Sequence, residues 1–469
     1  EVPSIAIIPF ENKGKEEDVF YAYGISADLI SDCSEAGLIR VASLKNIENL
    51  DYKTLDTDEL ASRLLVRYVA TGTLWKMDNI FQLSIELYDT KESKVVWSDR
   101  WQENWDNLTT IKGNIADDLL KAINSKHKLE KRVETTNTEA YEYYLKGKYI
   151  FEQREDKKDR EVARGLIYKA IDLDDNLLAA KNLLGRICRD TTDKAMKIWT
   201  DTLNQAENIG DKAEMARNLK WIATGWFSKG CDEKALDCLT RSLDIYKEID
   251  NQRGIGRSFH WIGNIYLFKC DYDKALEYYT SSLSILEKTD DKIGLSSSFD
   301  LIGRVYREQG DYDKALSYHI LALEIREKLG RKVWLFISYS NLGTIYQYKG
   351  EYKQSINYLE KSIDIQNDVE GNRLLNDTTT LFLSYKEVGK KYNKKDIKTI
   401  INQKKEYCGF GLGYKLYQLL EETSYLETAY KQIQELADNL EPDVAAKFLS
   451  YPIPKAIVEE WEKVTSSKN

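Results

Sequence analysis

The stretch from about Asn218 to Ser362 repeats itself every 40 residues, and nothing else in the chain constrains the fold as strongly. Ile262-Gly263-Asn264-Ile265-Tyr266 leads to Asp271-Tyr272-Asp273-Lys274-Ala275-Leu276. Forty residues on, Ile302-Gly303-Arg304-Val305-Tyr306 leads to Asp311-Tyr312-Asp313-Lys314-Ala315-Leu316. Leu342-Gly343-Thr344-Ile345-Tyr346 and Glu351-Tyr352-Lys353-Gln354-Ser355-Ile356 follow in the same frame, and Ile222-Ala223, Trp226, Gly230 and Glu233-Lys234-Ala235-Leu236 precede them. Each unit reads as two antiparallel helices. A small residue (Ala223, Gly263, Gly303, Gly343) marks close approach of the second helix. An aromatic at i+3 (Trp226, Tyr266, Tyr306, Tyr346) shares its face and fills the space between the helices. Gly230, Gly310 and Gly350 end the first helix as left-handed caps, a place taken by Cys270 in one unit. A single pair cannot bury its apolar face, so the pairs must stack.

This arrangement resembles the tetratricopeptide repeat family. The usual period there is ~34 residues; here it is 40, and the proline after the second helix is absent. Ser284-Ile285-Leu286-Glu287-Lys288 and Glu324-Ile325-Arg326-Glu327-Lys328 instead carry helical periodicity onward, so longer second helices are expected. The resemblance implies an all-α superhelical solenoid whose first helices line a concave face. Such a fold presents a surface and performs no chemistry of its own.

The first quarter of the chain obeys another rule. Ser4–Phe10 is a short buried-type strand, 19–36 a helix, 38–42 a strand, and 57–65 a helix capped by Thr57 or Asp58. Strands are expected at Tyr68–Trp75, Phe81–Tyr88 and Lys94–Trp101, the middle one alternating apolar and polar as a sheet with one wet face does, and a helix at Asn107–Ile123. The order βαβαβββα is that of a small α/β domain. Ser4–Asn12, Tyr23–Ile30, Val66–Leu74 and Val96–Trp101 resemble the TolB-like N-terminal domain, a non-catalytic module. Followed by tetratricopeptide repeats, domains of this kind occur downstream of class III nucleotidyl cyclase, serine/threonine kinase or winged-helix domains. The expected organisation is an α/β domain at 1–125, a linker at 126–137, irregular helical pairs at 138–212, regular repeats at 213–368, and a degenerate repeat with a helical C-terminal cap at 369–469.

A net charge of -9 argues against a general binder of nucleic acid or anionic membrane. No run approaches the ~20 apolar residues of a spanning helix. The chain starts at Glu1 without a signal peptide, as a processed protein or an excised piece does. Its 6 cysteines have neither metal-ligand nor disulfide-framework spacing. Unpaired thiols favour a cytoplasmic setting, with an extracytoplasmic part of a membrane-anchored protein as the alternative. The histidines (His127, His260, His319) lack zinc-site spacing. Gly409-Phe410-Gly411-Leu412-Gly413 lacks the phosphate-loop pattern and reads as a turn into the C-terminal cap. No catalytic residue, metal or cofactor is expected.

The informative surface is the inner groove that the resemblance implies. Its register picks out Arg217, Lys220, Thr224 and Phe227, then Arg257, His260, Asn264 and Phe268, then Asp300, Arg304 and Arg307, then Ser340, Thr344, Gln347 and Tyr348. Five cations against one acid on an acidic chain, with aromatic neighbours, fit an acidic or C-terminal-carboxylate peptide. The expected role is a protein-binding, regulatory module of a bacterial signalling protein. The alternatives are the regulatory region of a cyclase or kinase whose catalytic domain lies upstream, and a structural assembly scaffold.

Overall fold

The structure, a computed structural model, describes residues 2–35, 39–123, 135–154, 157–189, 191–288, 292–329, 332–369, 374–403 and 409–466. Most of the expected linker, His127 and Cys408 lie outside the described residues. Two compact units are present: Glu1–Trp261 with Ser284–Asp291, and Ile262–Leu283 with Lys292–Asn469.

The first unit opens with β1 (Ser4–Ile7), β2 (Glu11–Asn12), α1 (Val19–Glu35), β3 (Arg40–Val41), α2 (Leu44–Glu48), α3 (Thr57–Leu64), β4 (Tyr68–Met77), β5 (Ile80–Asp89), β6 (Lys94–Asn104) and α4 (Leu108–Ala122). This is the expected order, with a two-residue β2 and a single-turn α2 added. The sheet runs β3-β1-β4-β5-β6, parallel through β1 and antiparallel from β4 to β6. Asp78 (φ 49°) takes the left-handed turn position between β4 and β5, which the short polar side chain of Asp tolerates. Along β5, Phe81, Leu83, Ile85 and Leu87 are buried while Gln82, Ser84 and Glu86 reach solvent, so one face is wet. Asp56, one residue before the expected caps, accepts from the Glu59 N–H at 2.8 Å, because an N-cap must itself stand outside the helix.

The α/β domain is docked on the first helix that follows it. That helix is α5 (Thr138–Glu152), and it lies against α1. Gly24 is the contact point: a Cβ there would stand 2.7 Å from Leu145 Cδ2. Buried Asp28 accepts from Tyr141 Oη at 2.6 Å and from Lys148, with Lys112 Nζ 3.6 Å away. Burial alone would raise its pKa, but Lys148 and Lys112 outweigh that and hold the carboxyl at about 2.

The remaining helices are α6 (Lys157–Leu173), α7 (Leu178–Ile187), α8 (Thr192–Ile209), α9 (Lys212–Ser228), α10 (Asp232–Glu248), α11 (Gln252–Phe268), α12 (Tyr272–Lys288), α13 (Lys292–Gln309), α14 (Tyr312–Leu329), α15 (Lys332–Tyr348) and α16 (Tyr352–Val369). They are followed by α17 (Leu374–Glu387), α18 (Lys394–Gln403), α19 (Phe410–Leu420), α20 (Thr423–Asp438), α21 (Pro442–Ser450) and α22 (Pro452–Ser466). Second helices of 17–18 residues confirm the lengthening expected from the 40-residue period.

The turns inside the repeats share one geometry. Gly310 (φ 86°) closes α13: its N–H donates to Arg307 O at 3.0 Å and the Asp311 N–H to Tyr306 O at 2.9 Å. Cys270 adopts the same left-handed conformation (φ 55°) with the same pair of bonds, so the hydrogen-bond pattern overrides its side-chain preference. Asp271 and Asp311 then accept from the N–H groups of Lys274 and Lys314 and cap the second helices.

Close approach falls where small residues meet large ones. A Cβ at Gly263 would lie 2.7 Å from the Tyr279 ring, and one at Gly343 2.6 Å from Leu359 Cγ. The repeated aromatics are half-buried. Tyr266, Tyr306 and Tyr346 stack on Tyr278, Tyr318 and Tyr358 with centroids 5.5, 5.6 and 5.6 Å apart. Lys274 and Lys314 lie over the outer faces at 5.1 and 5.0 Å.

In the C-terminal segment the expected turn at Gly409–Gly413 is a helix start. Gly409 is the N-cap residue of α19, and Gly411 and Gly413 lie inside it. Burial of Leu416 and Leu419 along one face carries the helix through these glycines.

Candidate functional site

In the first unit the groove residues are largely engaged. Arg217 pairs with Glu214, which also accepts from Asn182. Lys220 is buried with its ammonium 4.4 Å from the centroid of Trp221, itself stacked on Trp199 at 5.5 Å. Buried Thr224 donates to Trp221 O at 2.7 Å, and Phe227 is half-buried. Arg257 is exposed. His260 sits edge-on to Trp261 at 6.3 Å, and burial lowers its pKa.

The second unit treats the same register differently. Asn264 accepts from Tyr279 Oη at 2.8 Å, and Phe268 is 56% exposed with Arg304 Cζ 5.9 Å from its ring centroid. Asp300 does not join the others. Its buried carboxylate takes Arg326 Nη1 at 2.5 Å and His319 Nδ1 at 2.9 Å, with Asn341 Nδ2 at 3.3 Å. Burial alone would raise its pKa, but His319 and Arg326 outweigh it and lower it, whereas burial lowers that of His319. Ser340 is likewise internal and donates to Asp377 Oδ1 at 2.6 Å.

What remains is a compact group on α13 and α15. Arg307 donates to neighbouring Glu308, whose carboxylate stays ionised because the charges of Arg307 and Arg304 outweigh its burial. Tyr348 stacks on Tyr312 at 5.4 Å, and Thr344 is buried nearby on α15. The buried Nε of Arg304 and the buried Oε1 of Gln347 have no hydrogen-bond partner among the described residues. A guanidinium nitrogen held out of water without an acceptor is costly, and a ligand oxygen would remove that cost. No group of His, Cys, Asp and Glu among the described residues could hold a metal ion.

Residues 214–288 and 294–368 match the family model described as tetratricopeptide repeat. The chain carries tetratricopeptide repeats. Residues 1–118 match a different family, the HilA/YgeH-like transcriptional regulator, second domain, over the stretch whose motifs resemble the TolB-like domain. A relative from Rhizobium meliloti (strain 1021), named "Putative adenylate cyclase 3", is 24% identical over 218 residues, which are 45% of this chain and 37% of the relative. The match thus spans little more than a third of that protein. Among solved structures, a Rap protein complexed with competence and sporulation factor is 16% identical, with coverage of 76% of this chain and 96% of the other and a TM-score of 0.46. The apo form of RapI is 17% identical, with coverage of 69% and 99% and a TM-score of 0.41.

At the coarse level the tetratricopeptide repeats make this chain a protein-interaction module. Their periodicity points to Arg304 and Arg307 but not to two residues beside them, Glu308 and Lys415. Lys415 belongs to α19, and its ammonium lies 5.2 Å from the Tyr348 ring centroid. No repeat register leads to a residue in a helix outside the repeats. The available signal was the apolar spacing of Leu416, Leu419 and Leu420, which marks a helix that must bury a face.

Proposed function

We propose that the chain is the regulatory, partner-binding part of a bacterial signalling protein, and that it takes an acidic peptide or protein segment on the first helices of its repeats. The observation that carries this reading is Arg304, half-buried beside Arg307 and the exposed Phe268 ring, with an Nε that lacks an acceptor among the described residues. Carboxylates of a bound segment provide two-pronged acceptors for such guanidinium groups, and Phe268 provides apolar contact. Affinity capture with wild-type protein and with R304E/R307E tests it. Reversal is expected to lose the captured partner, and unchanged capture rejects the groove.

A second reading is favoured by the likeness to the cyclase-named relative. In it the parent polypeptide carries a class III nucleotidyl cyclase domain, and these residues regulate it. The reading frame upstream of Glu1 decides that directly. A kinase domain there, or none, counts against it.

A further inference from the structure

Helices α19–α22 do more than close the stack of helices. Within the second unit they lie along the repeat turns and the adjoining first-helix ends. The Tyr451 ring is 5.0 Å from Tyr272, Lys447 pairs with Asp273, and a Cβ at Gly310 would stand 2.5 Å from Pro452 Cγ. Leu426, Ile433, Phe448 and Ile457 share one apolar cluster with Leu267, Tyr272, Ile302 and Val305. This part of the seat is ordinary packing.

The Lys415 part is not. Its ammonium is buried, and among the described residues it hydrogen-bonds to neutral oxygens, Thr380 Oγ1 at 2.9 Å and Asn376 Oδ1 at 3.4 Å. The titratable groups around it are Arg307 and Glu308 from α13, Tyr348 from α15 and Asp377 from α17. Burial first, then the charge of Arg307, outweighs the opposing pull of the Asp377 and Glu308 carboxylates and brings its pKa down to about 7. The cation thus shares its surroundings with the Arg307 guanidinium as well as with the Asp377 and Glu308 carboxylates, which only partly offset its burial. Among the described residues Arg304 Nε has no acceptor and Gln347 Oε1 no donor. The seat is well matched in shape and poorly matched in charge.

We propose that α19, through Lys415, is a built-in occupant of the ligand face formed by α13 and α15, and that an acidic peptide reaches Arg304 and Arg307 by displacing it. This rests on the peptide reading of that face given above. Incoming carboxylates bring the acceptor that Arg304 Nε lacks among the described residues. Departure of α19 returns the Lys415 ammonium to water, a gain that its pKa shows to exceed the lost attraction of Asp377 and Glu308. Affinity for the peptide is then set by the difference between two occupants rather than by the arginines alone.

The test uses the full chain, fluorescein-labelled octaglutamate as probe, and amide hydrogen exchange. In the free protein α19 is expected to exchange about tenfold or more faster than α13 and α15, as a weakly held element does. Lys415→Met, or Lys415→Gln should the first variant misfold, is expected to slow that exchange and to weaken octaglutamate binding severalfold. Bound octaglutamate is expected to deprotect α19, and R304E/R307E to abolish its binding. Equal protection of α19 and α15 in the free protein, unchanged by K415M, overturns the proposal, and so does peptide binding that leaves α19 protected. Absence of octaglutamate binding, with α19 still weakly protected and tightened by K415M, rejects the peptide reading and the displacement. The loose seat then stands as a separate finding.

Discussion

In each unit a charged side chain is buried where one helix lies against others, Asp28 in the first and Lys415 in the second, and the two places are built oppositely. Where α1 meets α5, Asp28 is surrounded by Lys112, Lys148, Tyr141 and Tyr144, and its pKa falls to about 2. Where the Lys415 side chain of α19 reaches towards Tyr348 of α15 and Arg307 of α13, its hydrogen-bond partners are neutral, burial and Arg307 outweigh the carboxylates of Asp377 and Glu308, and its pKa falls to about 7. Both values move downward, yet for an acid that means a stabilised charge and for a base a destabilised one. Burial is equally complete in both, so the partners alone decide which joint is fixed and which is ready to open.

Breaking the first joint is expected to have the largest effect. Asp28→Ala leaves Lys112 and Lys148 without their buried carboxylate and is expected to cost about 3–5 kcal/mol in chemical denaturation of the first unit. An effect below about 1 kcal/mol would show that the joint holds without its charge. The same joint predicts an acid response. Because the folded-state pKa of Asp28 lies below the ordinary 3.8, its contribution of about 2 kcal/mol is fully present above pH 4 and lost as pH falls towards 2. Denaturation between pH 5 and 2 checks this, with Asp28→Asn expected to flatten the slope.

Gly24→Ala forces a Cβ to within 2.7 Å of Leu145 and is expected to cost about 1–3 kcal/mol by the same denaturation measurement. At the other joint the sign reverses. Lys415→Met removes a buried cation and is expected to stabilise the second unit by about 1–2 kcal/mol. Since burial and Arg307 hold Lys415 near 7 instead of 10.5, wild-type stability should rise as pH increases from 7 towards 10, and K415M should remove that rise. The smallest expected effect belongs to neither joint: Tyr306→Leu loses the stack on Tyr318 and is expected to cost about 0.5–1.5 kcal/mol beyond lost area, read by thermal melting.

The repeat frame was legible because its determinants are local. Gly263 must be small for Tyr279 to fit beside it, and a left-handed residue followed by Asp closes one helix and caps the next within two positions. The same economy exposes β5, where alternation alone assigns Phe81, Leu83, Ile85 and Leu87 to the buried face. Asp300 was misleading because the groove register says which helix face a residue occupies and not what lies opposite. The clue stood in another helix: His319 takes the place held by Tyr279 and Leu359 in neighbouring repeats, and a polar residue there calls for a buried polar partner. Lys415 carried no such clue, since nothing near it in the chain tells of Arg307 or Tyr348.

The sequence by itself determined the helical pairs, their 40-residue period, the turn chemistry and the alternation of the sheet, because each of these follows from residues within a few positions of one another. Only the tertiary structure decided which charges are satisfied. Asp28, Asp300 and Lys415 meet partners from other helices, and the free energy of a buried charge depends on the groups around it rather than on its place in the chain.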